Sequence, residues 1–147
     1  MSTTTIPRPV LLQSLWLTLT LSFAWCDIIS VMVALADPAA TAESYSWIKS
    51  GWPNLGVGIW MAFPVAMILL SRLLPRRVLR PLGIAVTPLL LLAQVGSVFM
   101  PGITPHYAFF SLVEVGNMTA IIVLSWTWPA APERARTSPL ATQNTTG

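Results

Sequence analysis

Charged residues are scarce in this chain, making up 9% of its 147 residues, against about 25% in an average soluble domain. Too few polar groups remain to cover a water-facing surface, which excludes an ordinary soluble globular domain. A single cysteine, Cys26, excludes an internal disulfide and a cysteine metal cluster. A single histidine, His106, leaves too little for a multi-histidine metal site. No phosphate-binding loop is present. Neither a metal nor a cofactor is therefore expected, and a membrane enzyme such as a quinone-linked redox protein is disfavoured. Lysine is nearly absent: the only one, Lys49, stands against seven arginines.

What is present in quantity is apolar: 54% of the residues are hydrophobic and the mean hydropathy is +0.70. Four stretches reach the length needed to cross about 30 Å of hydrocarbon. They run from about 10 to 36, 55 to 74, 79 to 100 and 106 to 128. Each must be helical, because lipid offers the backbone no hydrogen-bonding partner. The expected fold class is all-α, an integral membrane four-helix bundle occupying residues 10–128. Residues 1–9 form a short leading segment, and 129–147, rich in Pro, Ala, Ser and Thr, read as a disordered tail.

The net charge of +3 and a pI near 9.8 raise nucleic acid as a partner, but the placement of the charges speaks against it. Arg72, Arg76, Arg77 and Arg80 cluster between two apolar stretches, and Arg8, Arg134 and Arg136 flank the first and last. This is the pattern by which cytoplasmic loops hold a helical membrane protein's orientation. It predicts an inner or plasma membrane protein with both termini cytoplasmic, whose arginines meet anionic lipid headgroups. Trp47 and Trp52 then fall at the outer interface, and Trp16, Trp126 and Trp128 at the inner one. Arg8, an apolar run and Ala34-Leu35-Ala36 imitate a cleaved signal peptide. The run is too long for one, and it contains Asp27. A retained helix is expected.

Two carboxylates interrupt the apolar stretches, Asp27 and Glu114, with no cation beside either. An ionised side chain costs about 3 kcal/mol or more at the centre of a membrane helix, so such residues face a protein interior or a wet cavity. At 1.5 Å per residue, Asp27, Glu114 and Gln94 fall at similar depths in the outer half. In the second stretch Pro64 has no N–H and deprives the Trp60 carbonyl of its usual donor. Each helix thus offers a polar group to one layer, and a bundle brings these together if they face inward.

Helical spacing supports that orientation. Gln13, Thr20 and Asp27 recur every seven residues, and Tyr107, Ser111, Glu114 and Asn117 share a face. Gly58, Ala62 and Ala66, with Gly116 and Ala120, supply small surfaces for close helix approach. Without a cation in the layer, at least one acid is neutral near pH 7 or holds a cation. Either state suits a proton or cation relay. The alternative is that both are neutral acids donating hydrogen bonds to Gln94, Asn117 or the Trp60 carbonyl. His106 reads as an interfacial anchor and Cys26 as an apolar filler.

Three segments together carry a likeness. They are Leu15-Trp16 leading to Asp27-Ile28-Ile29-Ser30, then Pro64 through Ser71-Arg72-Leu73-Leu74-Pro75, and Tyr107-Ala108-Phe109-Phe110-Ser111-Leu112-Val113-Glu114-Val115. The chain resembles a family of small bacterial four-helix membrane proteins of unknown function. The resemblance implies the four-helix architecture and the polar positions Asp27 and Glu114, and no activity. In outline, though not in motif, it is similar to the small multidrug-resistance exporters, which also have four short helices and a buried Glu.

Two functions follow as expectations. One is a proton- or cation-linked small transporter in which Asp27 and Glu114 bind and relay. Four helices enclose little volume, so this implies a homo-oligomer and an ion or small-molecule substrate. The other is a non-catalytic accessory or structural subunit of a larger membrane complex.

Overall fold

The fold is taken from a computed structural model, which describes residues 6–42, 51–100 and 103–128. The expectations for Trp47 and for the tail with Arg134 and Arg136 lie outside the described residues. Four long helices, α1 (Arg8–Ala36), α3 (Gly51–Leu73), α4 (Arg76–Ser97) and α5 (Pro105–Trp126), are joined by short connections, with one helical turn, α2 (Pro38–Thr41), after α1. All four long helices are long and apolar enough to cross a membrane.

Proline marks several boundaries. Pro9 sits in the first turn of α1, where its missing N–H costs nothing, and Asp37 closes that helix ahead of Pro38. Pro75 separates α3 from α4 and occupies the N-cap of α4. Pro105 opens α5 after Thr104. Pro64, Pro81 and Pro88 lie inside helices, as membrane helices tolerate where neighbours re-satisfy the backbone.

The helices pack in the order α3, α1, α5, α4, each mainly against the next. α1 buries Leu12, Trp16, Leu19, Phe23 and Cys26, with Ser22 beside them, and α5 buries Ser111, Glu114, Met118, Ile121 and Ser125. Both seams advance by alternating steps of three and four residues, the spacing that keeps one stripe facing a neighbouring helix. α4 contributes Leu79, Gly83, Thr87 and Leu90, and α3 contributes Pro64, Met67 and Ser71. None of the first thirteen residues of α3, Gly51 to Phe63, is buried. That helix is held to the bundle by the half that leads to the arginines.

Three expectations about faces are corrected here. Trp16 is almost wholly enclosed in the core rather than at an interface. Gly58 and Gly116 meet no neighbour within 4 Å of where a Cβ would stand, and Ala62 and Ala66 are exposed. The close approach is at Gly83, where such a Cβ would lie 2.6 Å from Ser125 Oγ. Finally, the stripe of Gln13, Thr20 and Asp27 is one residue out of phase with the buried seam at 12, 19 and 26. One residue is about 100° around a helix, so this stripe flanks the core instead of filling it.

A buried acid in a polar seam between two helices

Glu114 is 1% exposed, and its Oε1 atom is buried without a hydrogen-bond partner among the described residues. It is the tenth residue of the 22 in α5, close to the middle of the helix. It sits on the α5 seam because Ser111, Glu114 and Met118 follow the three- and four-residue steps that face α1 and α4.

The other polar groups of this region line the contact between α4 and α5. Towards the α4–α5 connection, Gln94 Nε2 donates to Ser111 Oγ at 2.9 Å. There too the Tyr107 hydroxyl donates to Ser97 Oγ at 2.7 Å, and Ser97 donates on to the Gln94 carbonyl at 2.6 Å. Towards the arginines, Thr87 on α4 is fully enclosed and its Oγ1 finds no partner among the described residues. Ser125 Oγ, across from Gly83, is likewise unbonded. Elsewhere hydroxyls satisfy themselves on the carbonyl four residues earlier, as Ser14, Thr18, Thr20, Ser30, Ser71 and Thr119 do. Thr87 and Ser125 do not. Three buried, unbonded oxygens therefore share this seam with bonded Gln94 and Ser111. Each unbonded polar group buried in a helix contact costs about 1–3 kcal/mol.

The second carboxylate is elsewhere. Asp27 lies on the exposed side of α1. The register is marked by Ser30 Oγ and His106 Nε2, 3.2 Å apart. Asp27 is three residues inward of that contact and Glu114 eight, an axial difference of about 7 Å at 1.5 Å per residue. No hydrogen bond joins the two acids among the described residues. In the layer expected from depth alone, Gln94 and Ser111 bond to each other one turn from Glu114, while Asp27 sits on the exposed face of α1, near enough for its charge to act on Glu114. Asn117 is half-buried on α5 and bonds to nothing described. Pro64 is buried against the core, whereas Trp60, 38% exposed, turns away from it. Through Ser30, His106 ties the start of α5 to α1, and it also approaches Thr104 Oγ1 at 3.3 Å. Among the described residues no group of three His, Cys, Asp or Glu side chains is placed to hold a metal ion.

At the opposite end the arginines converge on the last turn of α5, where helix carbonyls lack partners and the dipole is negative. Arg8 donates to the Leu124 carbonyl at 3.2 Å and to Thr127 Oγ1 at 3.3 Å. Arg76 donates to the Trp128 carbonyl at 3.0 Å and Arg80 to the Trp126 carbonyl at 3.3 Å. Arg72 donates to Gln13 Oε1, linking α3 to α1. Sequence reasoning gave these residues a role in topology and lipid contact and missed the capping. Three arginines, Arg8, Arg76 and Arg80, reach a helix end that carries no basic residue in its own last turn.

With Glu114 fixed on the central helix contact, the match between the chain and known families becomes informative. Residues 5–134 match a family of unknown function, DUF6326. The chain belongs to the DUF6326 family. No curated protein and no solved structure matches it. For this DUF6326 member the family assignment covers all four long helices, and with them both carboxylates and the arginine cluster.

Proposed function

We propose that this DUF6326 protein is a multi-pass membrane protein of the cell or inner membrane, with both termini cytoplasmic. In this reading it carries protons, or a cation in exchange for them, and it works as a homo-oligomer. Glu114 is the acid that binds and releases the transported charge, and the protein performs no catalysis. One observation carries the reading: the Glu114 carboxyl is enclosed near mid-helix with Oε1 unbonded. A carboxyl retained only to join helices would spend its oxygens on neighbouring donors, and the Gln94 amide donates instead to Ser111 Oγ, one turn from Glu114. An acid kept in hydrocarbon without such a bond is costly, and such groups mark proton and ion pathways.

The test is proton flux into vesicles that hold the purified protein and an entrapped pH-sensitive dye, driven by an imposed pH step. Glu114→Gln keeps the shape of the side chain and removes its titration. The expected result is a folded variant whose flux falls at least tenfold. Equal flux in wild type and variant refutes the role of Glu114.

A second reading, as an accessory or structural subunit of a larger membrane complex, draws on Asp27. A carboxyl on the outer side of a membrane helix needs another protein to cover it. Co-purification of one partner at fixed stoichiometry, lost on Asp27→Leu, favours that reading over a homo-oligomeric carrier.

A further inference from the structure

We propose that the groove at the start of α4 is a binding site for the phosphate of an anionic phospholipid. The groove holds about 350 Å³ and is lined by Arg76, Arg77, Arg80, Pro81 and Ile84. Its donors are already in place. Arg76 and Arg80 are anchored by the Trp128 and Trp126 carbonyls, and the Nε atom of each is buried without a partner among the described residues. Arg77 is exposed and makes no hydrogen bond among them. Planar guanidinium groups offer paired N–H donors that match phosphate oxygens. Holding two of them in advance lowers the cost of ordering when the anion arrives.

The charge is also unbalanced. Three guanidinium groups stand within five residues at the positive end of the α4 dipole. The described carboxylates are Asp27 and Glu114, inside the helices, and Asp37, beyond the far end of α1. None of these lies at the arginine end.

The order of lining residues along α4 selects the source. The arginines occupy the first turns, at the level of the helix ends. Pro81 follows directly and Ile84 one to two turns further along, Ile84 about 6 to 12 Å deeper than the arginines at 1.5 Å per residue. A charged rim above an apolar floor matches a phospholipid, with its phosphate at the rim and its glycerol and upper acyl chain on Pro81 and Ile84. A free phosphate ion would use the rim alone.

Native mass spectrometry of the full chain, released from mild detergent after incubation with phosphatidylglycerol or phosphatidylcholine, tests this. Wild type is expected to retain one phosphatidylglycerol in preference to phosphatidylcholine. Arg77→Ala breaks no described contact, and it should weaken that binding about tenfold, the scale of one charge-assisted hydrogen-bond set. Arg72→Ala removes the same charge outside the groove and should change it less than threefold. Equal losses in the two variants would mean diffuse surface attraction and would overturn the site. Equal retention of both lipids would overturn the phosphate selectivity. Displacement of the bound lipid by millimolar inorganic phosphate would make the rim a free-anion site and overturn the lipid assignment.

Discussion

Gly83→Ala is the sharpest probe of how α4 meets α5. A methyl added at Gly83 would stand 2.6 Å from Ser125 Oγ and 3.3 Å from Ser125 Cβ. Rotation of the hydroxyl relieves the first contact and does nothing for the second, because Cβ is fixed to the α5 backbone. The helices must separate by a few tenths of an ångström. Overfilling of this kind costs about 1–3 kcal/mol, while Ala gains about 1 kcal/mol over Gly inside a helix. The net expectation is a loss of about 1 kcal/mol. Ser125→Gly removes the atoms the methyl meets, so Gly83→Ala in that background should lose its penalty and show the helix-propensity gain. The coupling between the two sites should be about 1 kcal/mol or more, within the range for residues in contact. Unfolding in mixed micelles with a rising fraction of denaturing detergent, followed by tryptophan fluorescence, measures all four proteins. A Gly83→Ala protein more stable than wild type, or a penalty unchanged by Ser125→Gly, would refute the close approach.

Other perturbations give distinct outcomes. Ser125→Ala removes a buried hydroxyl that has no partner, so the same unfolding assay should find it neutral or more stable by up to about 1 kcal/mol. Gln94→Leu breaks the bond to Ser111 and should cost about 0.6 kcal/mol, and no more than about 1.7, the range for hydrogen bonds between membrane helices. Arg8→Ala releases the Leu124 carbonyl and Thr127 hydroxyl, and amide exchange at Thr127 should accelerate while that at Met118 stays unchanged. Asp27→Leu should reduce the oligomeric fraction in cross-linking of native membranes, since its exposed carboxyl needs a protein cover. An unchanged fraction with a more stable monomer would mean that Asp27 faces lipid.

Much of the architecture is legible in the sequence because apolar stretches of this length leave the backbone few choices. Apolar length and the prolines place every long helix within four residues of its observed ends. On α5 the periodicity of Ser111 and Glu114 also identifies the buried face. On α1 the same reasoning chooses the wrong face, and the cause is specific. Two stripes of period seven run side by side, an apolar one through Leu12, Leu19 and Cys26 and a polar one through Gln13, Thr20 and Asp27. Periodicity cannot say which stripe meets the neighbours. Packing of the large Trp16 and Phe23 side chains selects the first, and Thr20 loses little by lying at its edge because its hydroxyl bonds the Trp16 carbonyl at 2.8 Å. Depth along a helix has a similar blind spot. Asp27 and Glu114 stand at equal distances from their own helix ends, but α1 has 29 residues and α5 has 22, so equal counts fall at different levels. Capping of α5 by arginines from α1 and α4 depends on which helices become neighbours, and the chain order does not reveal that.

The order α3, α1, α5, α4 has a consequence for synthesis. α3 and α4 are consecutive and joined by only Leu74 and Pro75, but each finds its main partner elsewhere, α3 on the helix made before it and α4 on the helix made after it. As the chain leaves the ribosome, α1 and α3 can associate at once. α4 must wait for α5, and the central α1–α5 contact forms only when the last helix arrives. The arginines of α4 are therefore without their α5 carbonyls throughout that interval. A chain truncated before Pro105 would keep one helix pair and leave α4 without its main packing partner.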